Sequence, residues 1–163
     1  MTTTLTAEID VEAPVDAVYN QWTQFESFPE YLGAVKVVQQ IDDVRTRWTV
    51  SIGGREEAFY ADVVEQVPDQ HIAWQSTDGI FHAGSVDFEP RRSEAGVDET
   101  HVRLRMDWEP QGILETLGAA VGIDKAQAQM DLQRFKTFIE KRGGETGGWR
   151  GEIHDGRKTA SDE

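Results

Sequence analysis

The sequence predicts an α+β fold: a curved, seven-stranded antiparallel sheet wrapped around one long C-terminal helix, with two short helices after the first strand. Three observations predict it. Residues 35 to 110 hold six segments of alternating apolar and polar side chains, joined by short turn-forming connectors. A seventh alternating segment at 4–11 precedes them and is followed by short helical patterns. The one long apolar stripe at helical spacing, 112–142, comes after the last strand and is the only element available to cover the sheet.

Taken in order, TLTAEIDV (4–11) sets Leu5, Ala7, Ile9 and Val11 against polar neighbours, as a half-buried strand does. Pro14 suits a helix's first turn and Asp16 its positive N-terminal end, while Val15, Val18, Tyr19 and Trp22 repeat at helical spacing. Pro29 ends or bends the turn carrying Phe25 and Phe28. The strands follow at 35–41, 45–52, 56–67, 70–77, 81–90 and 100–110. Asp42-Asp43, Gly53-Gly54, Pro68-Asp69, Asp78-Gly79 and a loop holding Gly96 separate them, so hairpins in a meander are the expected pairing. In the last strand Val102, Leu104, Met106 and Trp108 share one face and His101, Arg103, Arg105 and Asp107 the other, giving a sheet wet on one side. Leu114, Leu117, Val121, Ala128, Leu132, Phe135 and Ile139 mark the helix stripe, with a bend expected near Gly122 and a cap at Asp124. Gly143-Gly144 stops it. Residues 1–143 are expected to be the domain and 144–163 a flexible polar tail, whose Trp149 and Ile153 either stay exposed or dock on the body or a partner.

Composition narrows the function. The formal charge is −14, from 30 acidic against 16 basic residues, which makes nucleic acid and anionic membrane surfaces poor partners. The absence of cysteine excludes thiol catalysis and cysteine-based zinc sites and agrees with a reducing cytoplasm. The opening residues read as no signal peptide, and no apolar run is long enough for a membrane helix, so a cytoplasmic protein without membrane insertion is expected. A monomer or weak homodimer is expected. No cofactor or metal is expected either: none of His71, His82, His101 and His154 sits in a nucleophile elbow, no histidine pair has ligand spacing, and no glycine-rich fingerprint opens a helix.

The pieces VEAPVDAVYNQW, FESFPEYL, VKVVQQID, VVEQVPDQHIAWQS, RLRMDWEP and DLQRFKTFIEKRG, in this order over residues 3 to 143, resemble the START-like helix-grip superfamily, in particular its bacterial polyketide cyclase/dehydrase and coenzyme Q-binding-type branch. The resemblance implies a cavity between sheet and long helix that takes lipids, quinones, polyketides or other apolar molecules. Some members of that superfamily are aromatase/cyclases and others only carry or sense a ligand. No short motif common to them names an active site, so no catalytic residue is carried over.

Four rings at steps of three, Trp22, Phe25, Phe28 and Tyr31, lie where the short helices would close such a cavity and read as its wall or lid, with ordinary core packing as the alternative. Parity places His82 with Gly84, Val86 and Phe88 on the covered face, Ser76 with Ile72 and Trp74, and Gln39 with Val37 and Ile41. Trp48, Trp74 and Trp108 fall on apolar faces, whereas Phe59 and Tyr60 must point to opposite sides, the inward one left open. The expected ligand-binding residues are therefore Trp22, Phe25, Phe28, Trp48, Trp74, His82 and Trp108, and the candidate acid/base groups are His82 and Tyr60. The leading expectation is binding or carriage of a small hydrophobic ligand (lipid, quinone or polyketide-like). The alternatives are a polyketide-type cyclase/dehydratase and a protein-interaction module using the sheet face or the Trp149 tail.

Overall fold

The computed structural model describes residues 3–52, 54–109 and 125–158. Strands β1 (Thr3–Val11), β2 (Val35–Gln40), β3 (Arg45–Ile52), β4 (Arg55–Val67), β5 (His71–Ser76), β6 (Phe81–Arg92) and β7 (Asp98–Glu109) form one antiparallel sheet in the order β1-β7-β6-β5-β4-β3-β2. Every pair from β2 to β7 is a sequential hairpin, and β1 closes onto β7 with Leu5 opposite Met106 and Ile9 opposite Val102. The connectors have the required turn chemistry: Asp69 stands at φ 66 and Gly79 at φ 67. At Gly79 an added Cβ would also meet the Ala58 carbonyl and the Phe59 Cβ, both at 3.1 Å.

Helix α1 (Val15–Trp22) and a 3-10 turn (Phe25–Glu30) follow β1, as the sequence predicts. Pro14 stands at the N-cap of α1, where its missing N–H costs nothing, and Asp16 accepts the Ala17 amide at 2.8 Å. The C-terminal helix α2 (Lys125–Arg142) lies on the concave face and buries Ala128, Leu132, Phe135 and Ile139. Lys141 and Arg142 suit its negative end, and Gly143, at φ 84, donates to the Ile139 carbonyl at 3.0 Å and stops it. Gln129 and Lys136 donate to the Glu8 and Asp10 carbonyls of β1, both at 3.0 Å, which fixes the helix along that edge. The expected stripe residues Leu114, Leu117 and Val121, the Gly122 bend and the Asp124 cap lie outside the described residues.

Three expectations are corrected. Among the described residues the sheet has nine strands, because β8 (Ile153–His154) pairs with β4 and β9 (Arg157–Lys158) pairs with β8. The same pairing places residues 145–158 on the body, so the flexible tail gives way to the docked alternative for Trp149 and Ile153. Ile153 is buried and Trp149 half-buried against the core. Composition misled here because the partners are distant: the Trp149 amide donates to Thr23 Oγ1 at 3.1 Å, Gly156 donates to the Val64 carbonyl at 3.0 Å, and Arg150 pairs with Asp69 at 2.8 Å. Thirdly, a bulge between Val35 and Val37 turns Val37, Gln39 and Ile41 outward and Val38 inward, reversing the face expected for Gln39.

Candidate functional site

The interior between sheet and α2 is built of rings. Trp22, at the end of α1, meets Phe28, Tyr31 and Phe135 with centroids at 5.4, 5.4 and 4.9 Å. Phe28 reaches across to Trp48 and Trp74, both at 5.6 Å, and Phe25 joins Phe28 at 5.1 Å. Pro29 keeps the 3-10 turn short and the Leu32 amide closes on the Phe28 carbonyl at 2.7 Å, so both phenylalanines face the sheet. The seven expected ligand-binding residues are thus in one contiguous cluster: Trp22, Phe25, Phe28, Trp48 and Trp74 meet ring to ring, His82 lies 5.4 Å from Trp48, and Trp108 stacks on His82 at 3.9 Å. All seven are buried and make protein contacts on the sides described.

The polar atoms in this cluster differ. The Trp48 indole N–H donates to Thr46 Oγ1 at 2.7 Å, and that hydroxyl donates to the Ala61 carbonyl at 2.9 Å. The Trp74 indole N–H donates to His82 Nε2 at 3.0 Å, and His82 Nδ1 lies 3.1 Å from the Asp107 carbonyl. An indole N–H only donates and a carbonyl only accepts, so Nε2 is the bare nitrogen and Nδ1 carries the proton. Burial holds this ring neutral, at a pKa of about 3. The Trp22 indole N–H, buried among rings, has no acceptor among the described residues.

The second acid/base candidate lies elsewhere. Tyr60 is on the outer face with the Arg45 and Arg47 guanidinium groups 5.9 and 5.8 Å from its ring centre, and Phe59 is the inward neighbour. Arg103 and Arg105 also face outward, as expected.

Between the end of β7 and the start of α2, Leu5, Leu32, Val35, Met106, Trp108 and Ala128 ring a narrow apolar mouth of about 10 Å³. Asp131 closes one side of it. This carboxylate, pushed up by burial, accepts from the Gly33 amide at 3.1 Å, from Gln127 at 2.8 Å and from Arg134, which also donates to the Tyr31 carbonyl. The latch ties the 3-10 turn to α2, and Gly33 fits because an added Cβ would stand 2.7 Å from Gln127 Nε2. Sequence reading missed Asp131; its place within the apolar stripe, one residue before Leu132, was the available signal. A much larger hollow, about 420 Å³, opens on a different side, between the 3-10 turn, the β2–β3 turn and the returning chain at Trp149. Among the described residues no cluster of three or more His, Asp or Glu is arranged to hold a metal, and no helix is long and apolar enough to cross a membrane.

A long helix held against a curved antiparallel sheet, with an aromatic interior and two short helices at one end, defines the START-like helix-grip class. The chain belongs to the polyketide cyclase/dehydrase and lipid transport family, which it matches over residues 11–137. It is 43% identical over 146 residues to an uncharacterized 17.2 kDa protein of Streptomyces lincolnensis, covering 89% of this chain and 95% of that one. Among solved structures it is similar to a Deinococcus radiodurans protein (25% identity, TM-score 0.69, covering 86% of this chain and 98% of that one). It is also similar in fold to a START superfamily protein from Mycobacterium smegmatis (17% identity, TM-score 0.60, covering 85% and 95%). Family membership supports a hydrophobic ligand-binding or cyclase role.

Proposed function

We propose that the protein binds a small apolar molecule carrying a carbonyl-type acceptor, between the sheet and α2, with the mouth at Leu32, Trp108 and Ala128 as the way in. The observation that carries the reading is the Trp22 indole N–H, buried among Phe28, Tyr31 and Phe135 with no acceptor among the described residues. An unmet buried donor costs about 1–3 kcal/mol, and a ligand oxygen placed against it recovers that cost on binding. The apolar body of such a ligand would add about 25 cal/mol per Å² removed from water, before the cost of immobilising it. The mouth must widen for entry, and the Asp131 latch is the contact that would yield. Chemistry on the ligand finds less support: Tyr60 is outside, and both nitrogens of His82 are committed to protein partners.

Native and denatured mass spectra of the same sample, after incubation with quinones, fatty acids and polycyclic aromatics, test the reading. A non-covalent adduct lost on denaturation is expected, and no adduct with any of the three classes overturns it. Trp22→Phe keeps a ring and removes the N–H. It is expected to weaken quinone binding about tenfold while leaving a polycyclic hydrocarbon's affinity within about twofold. Equal effects on both would show that the indole only fills space. Trp22→Ala is the poorer probe, because truncating so buried a ring costs about 3–5 kcal/mol of fold stability.

A further inference from the structure

We propose that the 420 Å³ hollow beneath Trp149 is a second binding site, for a small cation with N–H donors and an apolar portion, an amine or amidine. Its wall includes Gln66, whose inward position follows from a second bulge, between Val63 and Glu65 of β4. Strict alternation from Phe59, Ala61 and Val63 would have put Glu65 and Val67 inside; the bulge sends Gln66 there instead. Gln66 is 1% exposed, and neither its amide nitrogen nor its oxygen has a hydrogen-bond partner among the described residues. The Tyr19 hydroxyl, raised to about 12 by burial, faces the Gln66 side chain without closing a well-formed hydrogen bond. Buried amides are seldom left in this state, so the arrangement fits a ligand that meets it.

The charge of the wall selects the ligand. Glu26 and Asp43 line the hollow, and among the described residues its lining holds no Lys, Arg or His. Glu26 spends one oxygen on the Gln40 amide at 2.8 Å, and Asp43 is approached from outside the lining by Lys158 at 2.9 Å. An anion is repelled here, whereas an ammonium or amidinium gains the carboxylates and, once the Gln66 side chain turns from Tyr19 toward the hollow, offers an N–H to its Oε1. Phe25 and Trp149 supply aromatic faces for the apolar part and for the cation itself. The wall carrying Trp149 is anchored on both sides, by its amide to Thr23 and by Arg150 to Asn20 Oδ1 at 2.7 Å and to Asp69. This site is separate from the mouth at Leu32 and Trp108, and the proposal stands without the reading of the grip.

Benzamidine, benzamide and benzoate have nearly one shape and three charges, so calorimetric titration of the full chain with each is the test. Benzamidine is expected to bind, benzamide to bind at least about tenfold more weakly, and benzoate not at all. Gln66→Leu keeps the net charge and removes the orphaned amide, and it is expected to lose benzamidine affinity about tenfold with an unfolding midpoint equal to or above wild type. Undiminished benzamidine binding by Gln66→Leu would mean diffuse attraction to an acidic surface and overturns the site. So does benzoate binding as well as benzamidine, or an absence of binding that leaves Gln66 paired with buried water only. Should Gln66→Leu fail to fold, Glu26→Gln, which still accepts from Gln40, is expected to lower benzamidine affinity several-fold; an unchanged affinity there has the same overturning force.

Discussion

Gly84→Ala is expected to destabilise the protein by about 3 kcal/mol or more, although it adds one methyl group to a strand interior. Gly84 sits opposite Trp74 across the β5–β6 pair, and an added Cβ would stand 2.4 Å from Cζ2, 2.5 Å from Cε2 and 2.7 Å from Nε1 of that indole. The indole has nowhere to go: Trp48 stacks on it at 5.9 Å, and Phe28 and Phe25 close it off at 5.6 and 6.3 Å. Moving it far enough to clear the methyl also breaks the 3.0 Å bond to His82 Nε2 and leaves that nitrogen buried and unmet. Overpacking alone costs about 1–3 kcal/mol and an orphaned buried acceptor a similar amount. Urea unfolding of the two proteins reads the difference directly. Adding Trp74→Phe to the Gly84→Ala chain should then cost less than the two changes separately, since the clash and the bond vanish together. A Gly84→Ala protein within about 0.5 kcal/mol of wild type would show that the ring shifts freely and that the cluster is looser than its contacts imply.

The seven main strands were legible because each combines alternation with turn chemistry at its ends, and both are local. Asp78-Gly79 and the Gly96 loop mark hairpins by residue type alone, and the Ala128-Leu132-Phe135-Ile139 stripe marks a helix by its spacing. What escaped was every feature set by a bulge or by a distant partner. One extra residue after Val35 turned Gln39 outward, and one after Val63 turned Gln66 inward, without any change in the residue types around them. The tail reads as polar and glycine-rich, yet Ile153 on β4, the Val64 carbonyl left at the second bulge, and the contacts of Trp149 and Arg150 with Thr23, Asn20 and Asp69 dock it. Parity gave the face of His82 but not its state. That state depends on Trp74, a neighbour across the hairpin, and on the Asp107 carbonyl of the next strand. For the candidate site, aromatic residue types were a sound guide to burial, but the polar atoms that would orient a ligand could not be sorted into met and unmet from sequence.

Acidification is expected to destabilise the fold through His82, by roughly 2–3 kcal/mol between pH 7 and pH 4.5, with the slope of one proton taken up on unfolding. The folded ring stays neutral down to about pH 3, against an ordinary value of 6.5, because burial penalises its charge. In the window from 6.5 down to about 3 the unfolded chain binds a proton at this position and the folded chain does not, so stability falls as pH falls; above 6.5 the contribution is flat. The cause is visible in the geometry: Trp48, Trp74, Phe59 and Trp108 surround the imidazole, and a proton on Nε2 would meet the Trp74 N–H head on. Two groups act in the opposite sense. Burial raises Asp131, which gains a proton more readily when folded, and Glu65 and Glu152 raise His154, whose pairing is present at acid pH and lost as pH rises through its folded value. Relief of the −14 charge also favours the folded chain on acidification. The His82 contribution therefore has to be read by difference, from urea midpoints of wild type and His82→Gln across this range. Glutamine offers one acceptor to the Trp74 indole and one donor to the Asp107 carbonyl, but no titration. The wild type should lose stability faster than the variant as pH falls, and the His82 ring resonances should stay in the neutral, Nδ1-protonated form throughout. Parallel loss in the two proteins, or a ring that titrates near 6.5, would return His82 to the groups able to move a proton, and with it the cyclase reading of the interior.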